Sequence, residues 1–383
     1  MRIKNILQLL RTGIVASGCL FFLFVSGVLA EPTPPSEIPK NIILFIGDGM
    51  GLTHVTAARV AKGRLNLEEF PHGGFMLTYT LDKLVPSSPG PTTALATGYI
   101  TKSGYVGLNS SGQPVRTVLE YAREKGKSTG LVSTSAITDA TPACFAAHIR
   151  RRRWEGLIAE YIIANEIDVM IGGGMAYFLP STDKRSARKD KKDLLAQLEQ
   201  THTVTKNAAE FKAVKRPRKL AAFLALQDMP TADAREISLS EITHKAIEIL
   251  SQNENGFFLM IEGSQIDWAG HHGYGEYIIQ EVIDLDEAVG VALNFAKEEG
   301  DTLIIVTADH ETGGYTILDG SIKNKKITES TFLTDRHSGA MVPLFAFGPS
   351  SETLGGIHHL SFIGQKMIDF ILQNPAPLRN TLQ

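Results

Sequence analysis

The chain has 383 residues, of which 43% are hydrophobic and 21% charged. That balance excludes a disordered or fibrous chain and leaves enough length for a large buried core. A formal net charge of −3 and the absence of any recognition motif exclude the basic footprint of a polyanion binder, so no nucleic-acid partner is expected.

Residues 1–30 read as a secretory signal peptide. Arg2, Lys4 and Arg11 precede an apolar run from Ile14 to Val25, and Val28-Leu29-Ala30 supplies a small-residue cleavage site before Glu31. The run is short for a spanning helix, and no later stretch is long enough to cross a membrane. Cys19 lies in a faint lipoprotein-like box, but the apolar residues after it argue against lipidation. Cleavage would remove three basic and no acidic residues, leaving a charge of −6 and one cysteine, Cys144. Export without an intrachain disulfide points to a bacterial periplasm or exterior.

Residues 31–40 are Pro-rich and read as a flexible leader, and 41–383 as one domain. Asn41 to Ile46 is an unbroken apolar run of the buried parallel-strand type. It delivers Gly47-Asp48-Gly49-Met50-Gly51, then a helix to about Lys62. Gly73 to Tyr79 is a strand leading to Ser87-Ser88-Pro89. There, Ser before Pro suits a helix N-cap, with Pro at the first helical position and Gly98 as the stop. A hydroxyl at a helix N-terminus sits where free N–H groups and the dipole favour an anion.

Val115 to Lys125 has a helical pattern and Ser128 to Ser133 that of a short strand. Thr138-Asp139-Ala140-Thr141-Pro142 reads as a loop rich in oxygen ligands, followed by a helix carrying His148. Arg150 to Arg153 is then a solvated run, from which one guanidinium could clamp an oxyanion in bidentate fashion. Trp154 to Glu166 is helical, Val169 to Ile171 a strand, and basic Lys184 to Arg218 a set of exposed helices and loops. Ala221 to Leu226 suits a short strand and Leu239 to Leu250 a helix.

Phe257 to Ile261 is another buried strand and delivers Glu262. Asp267 and His271 are four apart, so on a helical turn they share a face and suit one ion. Tyr277 to Glu299 is a long amphipathic helix. Thr302 to Thr307 is a buried strand ending in Asp309-His310, Val342 to Phe347 a strand, and Gly355 to Asp369 a turn and last helix. The fold class is therefore α/β: a large, mostly parallel central sheet with helices on both faces. Three strands ending in Asp48, Glu262 and Asp309-His310 would bring these groups to one sheet edge, with His337 a further candidate. Imidazole with carboxylate suits zinc, and oxygen-only sets suit magnesium. A hydroxyl beside such metals suggests a nucleophile.

At these residues the sequence resembles the alkaline phosphatase family over nearly the whole mature chain. The matching stretches are Phe45 to Gly51, Asp139 to Pro142, Glu262 through Asp267 and His271, Thr307 to His310, and His337-Ser338-Gly339. The resemblance implies hydrolysis of small phosphate monoesters through a phosphoserine intermediate at alkaline pH, with two zinc ions and one magnesium. It implies Asp267, His271 and His337 on the first zinc; Asp48, Asp309 and His310 on the second; and Asp48, Thr141 and Glu262 on magnesium. It implies Ser88 as nucleophile, Arg152 as phosphoryl clamp, and a homodimer. Asp139 and Trp268 fall near the third metal and the phosphate. Ser87 departs from the family, which keeps an acid there to orient the arginine, so Arg152 is expected to be more mobile. The alternatives left open are a phosphodiesterase of the same superfamily and a weakly catalytic phosphate-binding relative.

Overall fold

The computed structural model describes residues 38–373. The expected signal peptide, Cys19 and all but the end of the expected leader lie outside the described residues. In chain order the first half holds β1 (Asn41–Gly47), α1 (Leu52–Lys62), β2 (His72–Leu77), α2 (Pro89–Thr97), α3 (Val118–Glu124), β3 (Ser128–Ala136), α4 (Ala140–Ala146), α5 (Glu155–Ala164) and β4 (Val169–Gly173). There follow α6 (Leu194–Leu198), β5 (Thr203–Thr205), α7 (Ala208–Ala213), β6 (Leu220–Phe223), α8 (Leu239–Leu250), β7 (Phe257–Gly263), α9 (Gln265–His271) and α10 (Gly275–Glu299). The last part holds β8 (Thr302–Thr307), β9 (Glu311–Thr312), β10 (Tyr315–Ser321), β11 (Lys326–Phe332), β12 (His337–Ser338), β13 (Val342–Phe347), β14 (Gly356–His359) and α11 (Leu360–Leu372).

Ten strands form one sheet in the order β14-β2-β13-β8-β1-β7-β3-β4-β6-β5. All neighbours are parallel except β13, which runs against both β2 and β8. The central strands β8, β1 and β7 are buried along their whole length, which is why they read as apolar runs without alternation. Register then decides where their ends fall. Ile46 pairs with Thr307 on one side and Glu262 on the other, and Glu262 pairs with Ser133 of β3. Asp48, Glu262 and Asp309 therefore leave the sheet at the same edge, as expected of a parallel sheet.

Several details differ from the sequence reading. The helix expected to carry His148 stops at Ala146; His148 lies beyond it, next to a short bridge between Ile149 and Val106. The oxygen-rich loop is shorter than expected, because Ala140 to Pro142 already belong to α4, capped by the Asp139 side chain. The basic stretch 184–218 contains an edge strand, β5, and Arg188 is not exposed: its side chain is buried against Glu160 and Asp190. The β10–β11 hairpin and strand β14 have no counterpart in the sequence reading. None of the described helices is long and apolar enough to cross a membrane.

Candidate metal centre and nucleophile

Ser88 occupies the N-cap position of α2 but does not cap it. Its own dihedrals are already helical (φ −45°, ψ −39°), and its hydroxyl makes no bond to the helix. Instead Oγ lies 3.3 Å from His310 Nε2. The expectation of free N–H groups at this terminus is not met. Pro89 and Pro91 have none, and the Gly90 N–H is spent on Ser103 O at 3.0 Å. The helix dipole remains, so the field survives while the donors do not.

Three histidines converge beside Ser88. His310 follows β8; its ring stacks on His337 with centroids 3.6 Å apart. His337 arrives through the short β12–β9 pairing, in which it sits opposite Thr312. His271 comes from α9, and its Nε2 is 3.2 Å from His337 Nε2. Nδ1 of His337 donates to Pro86 O at 2.8 Å, and Nδ1 of His271 donates to Asp335 O at 2.7 Å. Carbonyl partners on Nδ1 leave both Nε2 lone pairs facing inward, the arrangement of metal-binding histidines. Two Nε2 atoms that close need a proton or a metal cation between them.

The carboxylates complete two donor sets. Asp267 Oδ2 is 3.3 Å from His271 Nε2, and Asp267 Oδ1 is 3.5 Å from His337 Nε2. Ligand atoms of Asp267, His271 and His337 fall within 4.8 Å of one another, as do those of Asp48, Asp267 and His310. Asp267 thus faces both sets, where the sequence assigned it to one. Asp309 Oδ2 lies 3.3 Å from His310 Nε2, while its Oδ1 accepts from the backbone of Gly49 and His310. Gly49 needs its positive φ of 73°, and a Cβ there would stand 2.7 Å from the Asp267 Cα. Glycine is what lets the β1 loop reach α9.

A third group sits to one side. Glu262 accepts from Ser133 Oγ at 2.6 Å. Thr141, in the first turn of α4, has its hydroxyl oxygen buried without a hydrogen-bond partner, close enough to Glu262 to offset a part of the rise that burial gives that carboxyl. Asp48 Oδ1 and Asp309 Oδ2 are likewise buried without a hydrogen-bond partner. Orphaned buried oxygens are rare in folded proteins. Oxygen donors here and mixed nitrogen and oxygen donors beside them fit divalent cations.

The electrostatics point the same way. Burial, then the charges of Asp309, Asp267 and Glu262, pushes Asp48 well above the ordinary carboxylate range. Burial lifts Asp309 to about 7, and burial with Asp139 nearby lifts Glu262 to about 8. Burial and the neighbouring His337 pull His310 down to about 3. Asp267 is also buried, yet the His271 hydrogen bond and the His310 and His337 charges hold it well below the usual range. His271, bonded to Asp267, rises to about 9. Crowded acids kept partly protonated by one another need added positive charge to ionise together.

Arg152 has an acidic partner although residue 87 supplies none. Its Nη2 pairs with Asp139 Oδ1. Ser87 is committed elsewhere: its N–H donates to Ser103 Oγ at 2.9 Å and its Oγ to Ser103 O at 3.1 Å. Trp268 is half-buried on α9, beside Asp267. Sequence reasoning missed Thr312, whose hydroxyl donates to Asp267 and faces His310 Nδ1 at 3.3 Å. It also missed Ser133 and Ser103. Thr312 had a signal, two residues after His310 in the same loop; a serine within a buried strand had none.

A family model for alkaline phosphatase matches residues 39–333. The chain is 38% identical over 311 residues to alkaline phosphatase 4 of Bacillus subtilis, covering 77% of this chain and 66% of that protein. It thus spans slightly under two thirds of that relative's length. It is 33% identical to alkaline phosphatase H of Pseudomonas aeruginosa, covering 83% and 82%. Among solved structures it matches the alkaline phosphatase of the Antarctic bacterium TAB5 with a TM-score of 0.80 and 37% identity, over 88% of this chain and 98% of that one. A variant of that enzyme has Mg bound in its M3 site. Fold, donor sets and likeness agree: the chain belongs to the alkaline phosphatase family.

Proposed function

We propose that this chain hydrolyses phosphate monoesters through a phosphoserine at Ser88. The observation that carries this reading is the Ser88 hydroxyl, free of any capping duty and 3.3 Å from His310 within the imidazole and carboxylate cluster. Asp267, His271 and His337 would hold one zinc; Asp48, Asp309 and His310 the second; Asp48, Thr141 and Glu262 a magnesium. The bound TAB5 variant supports a magnesium in the third position. Cations there lower the pKa of a nearby hydroxyl or water and neutralise phosphoryl charge.

The chain's own groups do the rest. Ser88 Oγ, having given up its proton, attacks phosphorus; the Oγ–P bond forms as the bond to the ester oxygen breaks, and the departing oxygen takes up a proton from water to leave as the alcohol. Water then attacks the phosphoserine from the vacated side, releasing phosphate and restoring Ser88. Arg152 offers its remaining N–H groups to the phosphoryl oxygens, and the α2 dipole adds favourable potential at Ser88. Residues 41–383 act as one catalytic domain. The signal-like residues 1–30 support export to the periplasm or exterior with cleavage after about Ala30, and the family likeness supports a homodimer.

Acid-quenching the enzyme with p-nitrophenyl phosphate and mapping the phosphopeptide tests this. The label is expected on Ser88 and absent from Ser88→Ala. Full turnover by Ser88→Ala would sink the nucleophile assignment, and faster turnover of bis-p-nitrophenyl phosphate than of the monoester would replace the reading with a phosphodiesterase.

A further inference from the structure

Given the reading of Ser88 as the nucleophile of a phosphomonoesterase, we infer that Lys102 and Arg150, which share the Tyr105 ring, form a second anion subsite beside it. The preferred substrates are then phosphate monoesters whose leaving group carries a further phosphate. With a formal net charge of −3, the chain as a whole does not attract such molecules, so local cations must. Residues 102–105 lie against the first turn of α2. Ser103 O accepts from Gly90 N–H at 3.0 Å, Ser103 Oγ from Ser87 N–H at 2.9 Å, and Tyr105 O from the Thr93 hydroxyl at 2.9 Å. A Cβ on Gly90 would stand 2.9 Å from the Ser103 Cα. Lys102 is one peptide step from Ser103, about 3.8 Å between Cα atoms, so its side chain starts within a small molecule's length of Ser88. Arg150 arrives from the other segment. Val106 and Ile149 exchange N–H···O bonds of 3.0 and 2.9 Å, which sets Arg150 beside Tyr105. Lys102 Nζ lies 5.7 Å and Arg150 Cζ 5.9 Å from the Tyr105 ring centroid.

These two charges are left open where comparable ones are not. Both side chains are exposed, and among the described residues neither makes an ion pair. Arg59, Arg116 and Arg185, exposed as well, each meet a carboxylate at 3.2, 2.9 and 2.7 Å. Asp82, the acid that touches this loop, is turned to other donors: it accepts from Ser103 N–H at 2.9 Å and from the Thr80 hydroxyl at 3.0 Å. Ser87 is neutral, so residue 87 puts no carboxylate between the pair and Ser88. Two cations gathered on one ring repel each other, and an anion bound beside them offsets that repulsion. The guanidinium can hold two phosphate oxygens at once and the ammonium adds a point charge. Arg151 does not belong to the subsite, because it lies over Trp154 at the start of α5.

The test compares adenosine 5′-monophosphate with adenosine 3′,5′-bisphosphate on the metal-loaded enzyme, two substrates that differ only by the added phosphate. Per scissile ester, kcat/KM is expected to be about tenfold higher for the bisphosphate, the worth of an exposed charged contact, and to appear in KM rather than kcat. Lys102→Gln combined with Arg150→Gln is expected to remove that advantage and leave turnover of the monophosphate unchanged. Lys215→Gln combined with Arg218→Gln is the control. It also removes two exposed cations, but just before the amino end of β6, at the sheet edge opposite the site, and is expected to keep the advantage. Raising the salt from about 0.05 to about 0.5 M should shrink the advantage, because exposed charges are screened. Equal values for the two substrates in the unaltered enzyme would overturn the subsite. So would an advantage that survives loss of Lys102 and Arg150, or one lost equally in the control. Turnover of neither substrate would fail the phosphomonoesterase reading and the subsite with it, whereas turnover of the monophosphate without preference would leave that reading standing and refute the subsite alone.

Discussion

Gly364 offers a test of how α2, and with it Ser88, is held in place. α11 crosses α2 backbone to backbone. A Cβ built on Gly364 would stand 2.4 Å from Ala94 O, 2.6 Å from Leu95 O and 2.7 Å from Gly98 N. None of these is a flexible side-chain tip, and real Cβ contacts essentially never fall under 3.0 Å. Gly364→Ala must therefore push the helices apart by at least about 0.6 Å at this point. Overpacking of this kind costs about 1–3 kcal/mol. Against it stands the helical preference of Ala over Gly, about 0.5–1 kcal/mol. The net is a loss of about 1–2 kcal/mol, or roughly 1–3 °C in Tm for a chain of this size. Gly156, near the start of α5, is the control. Its Cβ would meet the Arg188 side chain at 3.5 Å and beyond, an ordinary contact, so Gly156→Ala should be neutral or stabilising. Thermal unfolding of both variants reads the difference, and phosphoenzyme formation reads whether the displaced α2 still presents Ser88. A Tm for Gly364→Ala at or above wild type would refute the close-approach argument.

Four further outcomes are expected. His148 donates both ring N–H groups to acceptors, Gly107 O at 2.7 Å and Glu120 Oε1 at 3.0 Å, which requires the imidazolium. Burial lowers its pKa, but these two bonds and the Glu120 charge raise it further, so the net shift is upward. The stabilisation is complete below the unfolded value of about 6.5 and fades as pH rises through the folded value. Melts of His148→Gln from mildly acid to alkaline pH should lack that component of the slope; an unchanged slope contradicts the assignment. Chelation should abolish turnover and lower Tm, because each site saturated at 100 times its Kd contributes about 2.7 kcal/mol. Asp48→Asn should then raise the Tm of the metal-free protein by relieving the crowded acids, and a chelated protein that melts higher than the loaded one would contradict the donor sets. Finally, Glu281 holds Arg235 at 2.5 and 2.7 Å, with both side chains 1% exposed. Glu281→Ala leaves that guanidinium half-paired in the interior and should cost about 3–5 kcal/mol in denaturant melts, far more than an exposed pair would.

Much of the centre was legible in the sequence because its donors come directly after apolar runs. Residues 41–46, 257–261 and 302–307 can only be buried strands, and the residues just past the carboxyl end of a buried parallel strand emerge at the binding edge. Asp48, Glu262, Asp309 and His310 were therefore placed by local pattern alone. Asp267 and His271 were placed by helical spacing. Pattern also set Pro89 at the start of α2 and Gly98, with its φ of 76°, at the end.

Local pattern could not give any contact set by distant partners. His337 reaches the cluster through a two-residue pairing with β9, too short to leave a period in the sequence. The shared position of Asp267, the commitment of Ser87 to Ser103 and the loss of free N–H groups at α2 all depend on loops meeting in space. So does Arg152. Four consecutive arginines are equivalent by composition; the family resemblance named Arg152, and the tertiary structure pairs it with Asp139. The sequence determined which chemistry leaves the sheet edge, because burial and periodicity are local. The tertiary structure decided which donors face one another, because side-chain partners are fixed by register and loop geometry across separations from 13 to 222 residues.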